Sequence, residues 1–443
     1  MNAAIPALAP DRVLRFAIDP FRGMLDARRR HGDVVQVGYG AQRAVFLFGP
    51  EANSFVFANP QLFSWRDSFA VMLPVLGETA LLVTDGEEHR RRRPLVLPAF
   101  HRRRLEEYAR LMTVNTREAL TRLRTGQRVD LYAELRALIR RNTIDSFFGT
   151  RLARQDAEIG RKLQIALDAT DLPLGLQLFL TGVPNPVTAR AVRSRRWVAE
   201  RVRAEIAARR RFPVERPDAL TVLLDKPSNS GCPLGDDEIE DQVISLIVAG
   251  YETTSAAMAW TVHMLLTHPG SWEAARQEVA ETLGDGEADP ETLEKMTVVD
   301  DVVNEALRLH PPVVVLPRIT REDTVFRGLS IRAGTRLAIS PFVTHRMPEV
   351  WPQPGRFVPG RWRPDHPLHR PATPAGYLPF GGGHHRCVGA PFATLEIKII
   401  LIELLRRTRL RSAGPVRPAS IMAMRPRRGM PVVVEHCQPE GHA

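Results

Sequence analysis

The stretch FGGGHHRCVG at residues 380–389 decides the reading of this chain, and an apolar run with helical spacing follows it at 393–405. Successive glycines at 381–383 permit a tight backbone path beside a flat partner. Cys387 then stands just before a helix N-terminus, where unpaired N–H groups and about half a unit of positive dipole charge favour a thiolate over a thiol. A bound metal would complete that ionisation. A glycine-rich loop is weak evidence for phosphate, and the G-K-[ST] ending of a phosphate-binding loop is missing. On these residues alone, Cys387 is either a metal ligand or a buried structural cysteine.

Working outward, residues 236–268 predict one long helix. Asp237 and Glu240 form a capping-box pattern at its start, and Pro269-Gly270 supplies the stop. At 1.5 Å per residue it would run roughly 50 Å. Its middle, 243–259, is apolar on nearly every face, which places it in the interior as the spine of the fold. Within it, AGYETT at 249–254 breaks the pattern with a glycine, a carboxylate and two β-branched hydroxyls. A buried carboxylate is unfavourable unless paired or solvated, while Gly and Thr loosen the backbone ladder enough to admit water or a small ligand. The segment reads either as a helix kink with locally satisfied hydroxyls or as a proton-delivery site.

The remainder reads as an N-terminal β-hairpin over Val35 to Phe48, then mostly helix, with amphipathic segments at 106–124, 133–148 and 192–210. The proline-rich region 348–374 lacks periodicity and is too long for a connector, so it should pack on a structured body. The uncharged stretch 172–189 is interrupted by Pro173, Pro184 and Pro186, which argues against a membrane span. Residues 1–10 lack the charged flank of a signal peptide. Three cysteines without a C-x-x-C pair indicate neither a disulfide framework nor a zinc knuckle and fit a reducing cytoplasm. The net charge of +11 is carried almost entirely by arginine, with acids interspersed, which favours solvated helix faces or an acidic protein partner over nucleic acid.

Taken together, F-x-x-G-x-H-x-C-x-G at Phe380 to Gly389 resembles the haem-binding loop of the cytochromes P-450. AGYETT is similar to that family's oxygen-activating A-G-x-[DE]-T-T pattern, Glu305 to Arg308 to its E-x-x-R helix, and Phe357 to Trp362 to its F-x-P-x-R-W segment. The resemblance spans nearly the whole chain. It implies one domain over 1–443, mainly α with a smaller β region, with haem between the long internal helix and the Cys-ligand helix. The cofactor would be haem b with Cys387 as the iron ligand. Phe380, His89, Arg93, Arg318 and His385 would hold the macrocycle. Glu305, Arg308 and Arg361 would form a buried structural cluster.

The implied activity is a haem-thiolate monooxygenase that hydroxylates or epoxidises a hydrophobic molecule of the terpenoid, steroid or fatty acid class. Glu252 and Thr253 would deliver the protons that O–O cleavage consumes. No flavin or iron–sulfur module is expected within the chain, so electrons should come from NAD(P)H through a separate ferredoxin or flavodoxin and its reductase. Arg91, Arg92, Arg386 and Lys398 are candidates for the docking face, Arg66 for a carboxylate anchor if it points inward or else a side chain facing water, and 172–189 for an access lid or a plain packed loop. Pocket walls are expected at 69–76, 248–249, 313–316 and 421–424. The protein is expected to be a cytoplasmic monomer. A peroxide-driven enzyme and a non-catalytic haem carrier of the same fold are the rival readings, and the Glu252-Thr253 pair weighs against both.

Overall fold

A helix buried along most of its length, Asp236–Thr267, forms the axis of the protein in a computed structural model. The structure describes residues 4–40, 43–169, 185–212, 218–225, 234–284, 286–420 and 423–437. Helices Leu131–Phe148, Pro186–Arg211, Thr297–Leu309 and Ala390–Arg407 pack around this axis. Encased in this way, the helix needs apolar side chains on all faces, as its sequence has. Among the described residues, no helix is long and apolar enough to cross a membrane.

The expected capping box is displaced. Gly235 is the N-cap, and its N–H donates to the Glu238 carboxylate at 3.2 Å. Glu240 is instead buried between Arg195 and Arg203 of the neighbouring helix. The stop is as expected, with His268 as C-cap and Pro269 opening the next helix, Pro269–Leu283.

The amphipathic segments are helices Arg102–Leu120, Leu131–Phe148 and Pro186–Arg211. The last begins six residues before its expected start. Asn185 caps it by accepting from the Thr188 N–H at 2.9 Å, and Pro186 occupies the first turn, where its missing N–H is harmless. Pro186 therefore starts a helix rather than breaking one. The rest of 172–189, through Pro184, lies outside the described residues.

Strands Val34–Val37 and Ala44–Leu47 pair antiparallel as the expected hairpin. Three more strands complete a five-stranded sheet in the order Val34–Val37, Ala44–Leu47, Arg336–Ile339, Leu316–Thr320, Phe63–Ser64. In Leu316–Thr320 the alternate residues Leu316, Arg318 and Thr320 face inward, so strand geometry carries a guanidinium into the interior.

The proline-rich region packs on helix Thr297–Leu309 through one carboxylate. Glu305 accepts from Arg308 Nε and Nη2, both at 2.9 Å, from Arg361 Nε at 2.8 Å, from the Val358 N–H at 2.9 Å and from the Trp362 indole N–H at 3.2 Å. All three charged side chains are fully buried. Arg308 also donates to the carbonyls of His345 and Pro354, at 2.7 and 2.8 Å. This cluster fastens an irregular segment without needing periodicity from it.

Candidate active site

The loop before helix Ala390–Arg407 is tightly built. The Cys387 N–H donates to the Phe380 carbonyl at 3.0 Å, and Gly381 and Gly383 sit at φ 68° and 64°. A Cβ on Gly382 would lie 2.4 Å from the Phe57 ring, so the loop passes a neighbour that only glycine admits. Cys387 opens on a cavity while protein surrounds it. Burial pushes its thiol above the ordinary range, against the N–H groups of Gly389 and Ala390 and the guanidinium of Arg93, which pull it down. A metal bound in the cavity would favour the thiolate.

Across the cavity, Ala249, Gly250, Thr253 and Ala257 present one face of the central helix. That helix is unbroken through 249–254. Gly250 is required by packing, since a Cβ there would meet the Thr143 methyl at 2.8 Å. Thr253 Oγ1 donates to the Ala249 carbonyl at 2.7 Å. Glu252 is buried and paired: Arg136 reaches it at 2.8 and 2.9 Å, Arg425 at 3.3 Å, and the Tyr132 hydroxyl donates to it at 3.4 Å. Nothing in local spacing marks Tyr132, Arg136 and Arg425 as its partners.

At the rim, His89 and His385 stack with ring centres 4.2 Å apart, and Trp65 stacks on His385 at 4.3 Å. Burial lowers the two histidines to about 4 and about 3, so both are neutral near pH 7. His385 Nε2 lies 3.2 Å from the Thr84 carbonyl. Arg93 donates to the Arg386 carbonyl at 2.8 Å. Arg318 is buried, lies 4.3 Å above the Trp65 ring and, among the described residues, donates only to the carbonyl of its neighbour Pro317. With no carboxylate beside it, burial brings its pKa down to about 9. The sequence reading missed Trp65.

These residues fit a flat, dianionic macrocycle. Apolar walls would take its faces, Cys387 its metal, and Arg318 with Arg93 its acidic edge. No group of three His, Cys, Asp or Glu that could hold a metal occurs among the described residues, so a metal at Cys387 would bring its other ligands with it. Arg318→Met should then separate two stabilities. The haem-free protein should gain stability by losing a buried charge that has no carboxylate partner among the described residues. The loaded protein should release haem faster. Thermal unfolding of the haem-free form and haem transfer to an acceptor globin measure the two effects, and a destabilised haem-free variant would contradict this role.

Of the two alternatives for Arg66 the outward one holds, and most of the expected docking face fails. Arg66 donates to the Glu78 carbonyl at 2.8 Å and does not line the cavity. Of the four docking candidates, Arg91 and Arg92 are tied to Glu88 and Glu238, and the buried Lys398 pairs with Asp300 at 2.7 Å. Helix phase turns those three toward acids of adjoining segments. Arg386 remains exposed. The expected wall at 421–424 is described only from Ala423, which does line the cavity.

A family profile described as Cytochrome P450 matches residues 15–429. The chain is 41% identical over 422 residues to a Mycobacterium tuberculosis protein named cytochrome P450 139, covering 94% of this chain and 98% of that one. It is 32% identical to cyclooctat-9-en-7-ol 5-monooxygenase of Streptomyces melanosporofaciens, over 86% of this chain and 83% of that one. The solved structure of a retinoic acid bound cyanobacterial CYP120A1 superposes with a TM-score of 0.86 at 27% identity, covering 99% of this chain and all of that one.

Proposed function

The chain belongs to the cytochrome P450 family and is a haem monooxygenase, and on that premise we propose that it holds haem b through Cys387 and oxidises a neutral, terpenoid-class molecule with electrons relayed from NAD(P)H by a separate ferredoxin or flavodoxin. We read 1–443 as one domain. The observation that carries the reading is the pairing across one cavity of Cys387 with an acid and an alcohol, Glu252 and Thr253. Haem, when bound, supplies dioxygen binding and the oxidising power for insertion into a C–H or C=C bond.

The protein's own groups do the rest. Cys387, once ionised, pushes electron density toward the metal. Thr253 can turn its hydroxyl from the Ala249 carbonyl into the cavity and donate a hydrogen bond there. Glu252 carries protons inward when it loosens from Arg136 and Arg425, which hold its side chain in place until then. Phe69, Met72, Leu246 and Val313 exclude water from the reacting carbon.

A neutral substrate is supported by the cations present. Arg66 is turned away, and Arg425, which does line the cavity, is engaged with Glu252. The neutral alcohol for which cyclooctat-9-en-7-ol 5-monooxygenase is named favours terpenoids, and the retinoic acid bound in the solved relative shares their isoprenoid skeleton but carries a carboxylate. The test is a screen of neutral terpenes and steroids for displacement of an axial water from the metal, followed by turnover with NADPH, reductase and ferredoxin. Product should depend on NADPH and the partner. Product formed equally well with hydrogen peroxide alone would favour the peroxide-driven reading.

The docking face is revised to Arg90, Arg103 and Arg386. Arg386 adjoins Cys387. Arg90 lies a turn before Arg93, which touches the Arg386 carbonyl; it pairs with Glu87 at 3.7 Å only at the surface, and its side chain is 70% exposed. Arg103 is exposed and follows Phe100, whose ring a Cβ on Gly389 would meet at 3.6 Å. Reversing Arg90 and Arg386 to Glu should slow reduction by an acidic ferredoxin about tenfold or more and leave substrate binding unchanged. In the unmodified protein the rate should fall as salt rises. A salt-independent rate would remove this docking face.

A further inference from the structure

Six hydroxyls inside these helices bond to their own backbone. Thr113, Thr116, Thr143, Thr253, Ser255 and Thr261 each donate to the carbonyl four residues back. Ser245 does not. It is 96% buried, lines the cavity, and makes no hydrogen bond to any described residue. Ser146 Oγ is enclosed without a partner, whereas Ser245 Oγ opens on the cavity it lines and is free to bond there.

The other polar groups lining that part of the cavity are committed. The Gln242 amide accepts from the Leu81 N–H at 2.8 Å and donates to the Thr79 carbonyl at 2.6 Å. Glu252 is held by Arg136 and Arg425. Thr254 also lacks a described partner, but it adjoins Thr253 at the reacting end. Ser245 and Thr253 lie eight residues apart, a spacing that keeps both on one helical stripe and separates them by about 12 Å along the axis. Between them the helix presents Leu246 and Ala249, and Met72, Leu82 and Leu167 also line the cavity. The arrangement is an apolar passage with a hydroxyl at one end and the proton-delivering pair at the other.

We propose that Ser245 is a specificity-determining residue that grips a single hydroxyl or keto oxygen on an otherwise hydrocarbon substrate, about 12 Å along the central helix from Thr253. This rests on the oxidation of a neutral apolar molecule at the same site and narrows it to a skeleton that already carries one oxygen. A serine hydroxyl both donates and accepts, so it suits an alcohol or a ketone. The substrate would come from a reaction that leaves one oxygen on a hydrocarbon, such as an earlier hydroxylation or capture of water by a carbocation. The product would carry a second oxygen function far from the first.

Dodecanol and dodecane, long enough to span the passage, test this in the haem-loaded protein. Each is titrated while the spectral shift from loss of the axial water is followed. Dodecanol should bind about five- to tenfold more tightly than dodecane, the worth of one neutral hydrogen bond. Ser245→Ala should abolish that preference and leave the affinity for dodecane within about twofold. Hydroxylation of dodecanol should fall toward the end remote from its alcohol and spread along the chain in Ser245→Ala. Equal affinities in the unmodified protein, or a preference that survives in Ser245→Ala, would overturn the role of Ser245 and leave the oxidation reading standing. A protein with normal thiolate-haem spectra that answers neither compound would overturn the neutral-substrate reading and this inference with it.

Discussion

Glu252→Gln should lower turnover by about 10²–10⁴, because a positioned group that transfers a proton in the rate-limiting step contributes that much. The amide keeps the shape and part of the hydrogen bonding to Arg136 and Arg425 while losing the ability to carry a proton inward. Thr253→Ala should behave differently. Removing its hydroxyl removes the hydrogen bond that directs the proton, so reducing equivalents should drain into hydrogen peroxide while NAD(P)H consumption continues. Neither side chain is assigned to the macrocycle or the substrate, so haem content and substrate affinity should persist in both variants. The ratio of product to NAD(P)H consumed, set beside peroxide released, separates them. Unchanged rate and coupling in both would mean that the pair serves only the packing of the helix.

Glu305→Ala should destabilise the protein by about 3–5 kcal/mol, since it leaves Arg308 and Arg361 as uncompensated buried charges. The Val358 N–H and the Trp362 indole lose their acceptor as well. Total stabilities of folded proteins are only about 5–15 kcal/mol, so the variant should lose haem and soluble protein together. An internal control has similar length and chemistry. Arg117 and Glu287 pair at 2.7 Å, but Glu287 is 75% exposed, and Glu287→Ala should change stability by no more than about 1 kcal/mol. Denaturant titration of the two variants measures the contrast. Equal effects would show that the buried cluster is not what fastens the proline-rich region.

What was legible in the sequence was whatever local pattern determines. The central helix is legible because an all-round apolar run of its length has one way to bury itself, and the hairpin because its alternation has period two. The Cys387 loop and the Glu305–Arg308 pair are legible because their parts lie within one turn or one loop. The partners of Glu252 were not, since Tyr132, Arg136 and Arg425 reach it from segments over a hundred residues away in the chain. The docking face failed for a related reason. Arg90, Arg91 and Arg92 are equivalent as letters, and only helix phase against the acids of the central helix turns Arg92 inward and leaves Arg90 outside. The state of Cys387 depends on a balance that sequence does not weigh, in which burial opposes two N–H groups and a guanidinium and prevails. Ser245 was unremarked because sequence does not show whether a buried helical serine bonds to its own backbone, as Ser255 does, or goes without a partner, as Ser146 does.

The account rests on Cys387 acting as the thiolate ligand of a haem iron, and the most direct test is the absorption spectrum of the reduced protein under carbon monoxide. The strongly red-shifted Soret band that marks thiolate ligation is predicted for the unmodified protein and should be lost in Cys387→His while haem is still bound. A histidine-type spectrum from the unmodified protein, or a thiolate spectrum that survives in Cys387→His, would contradict it.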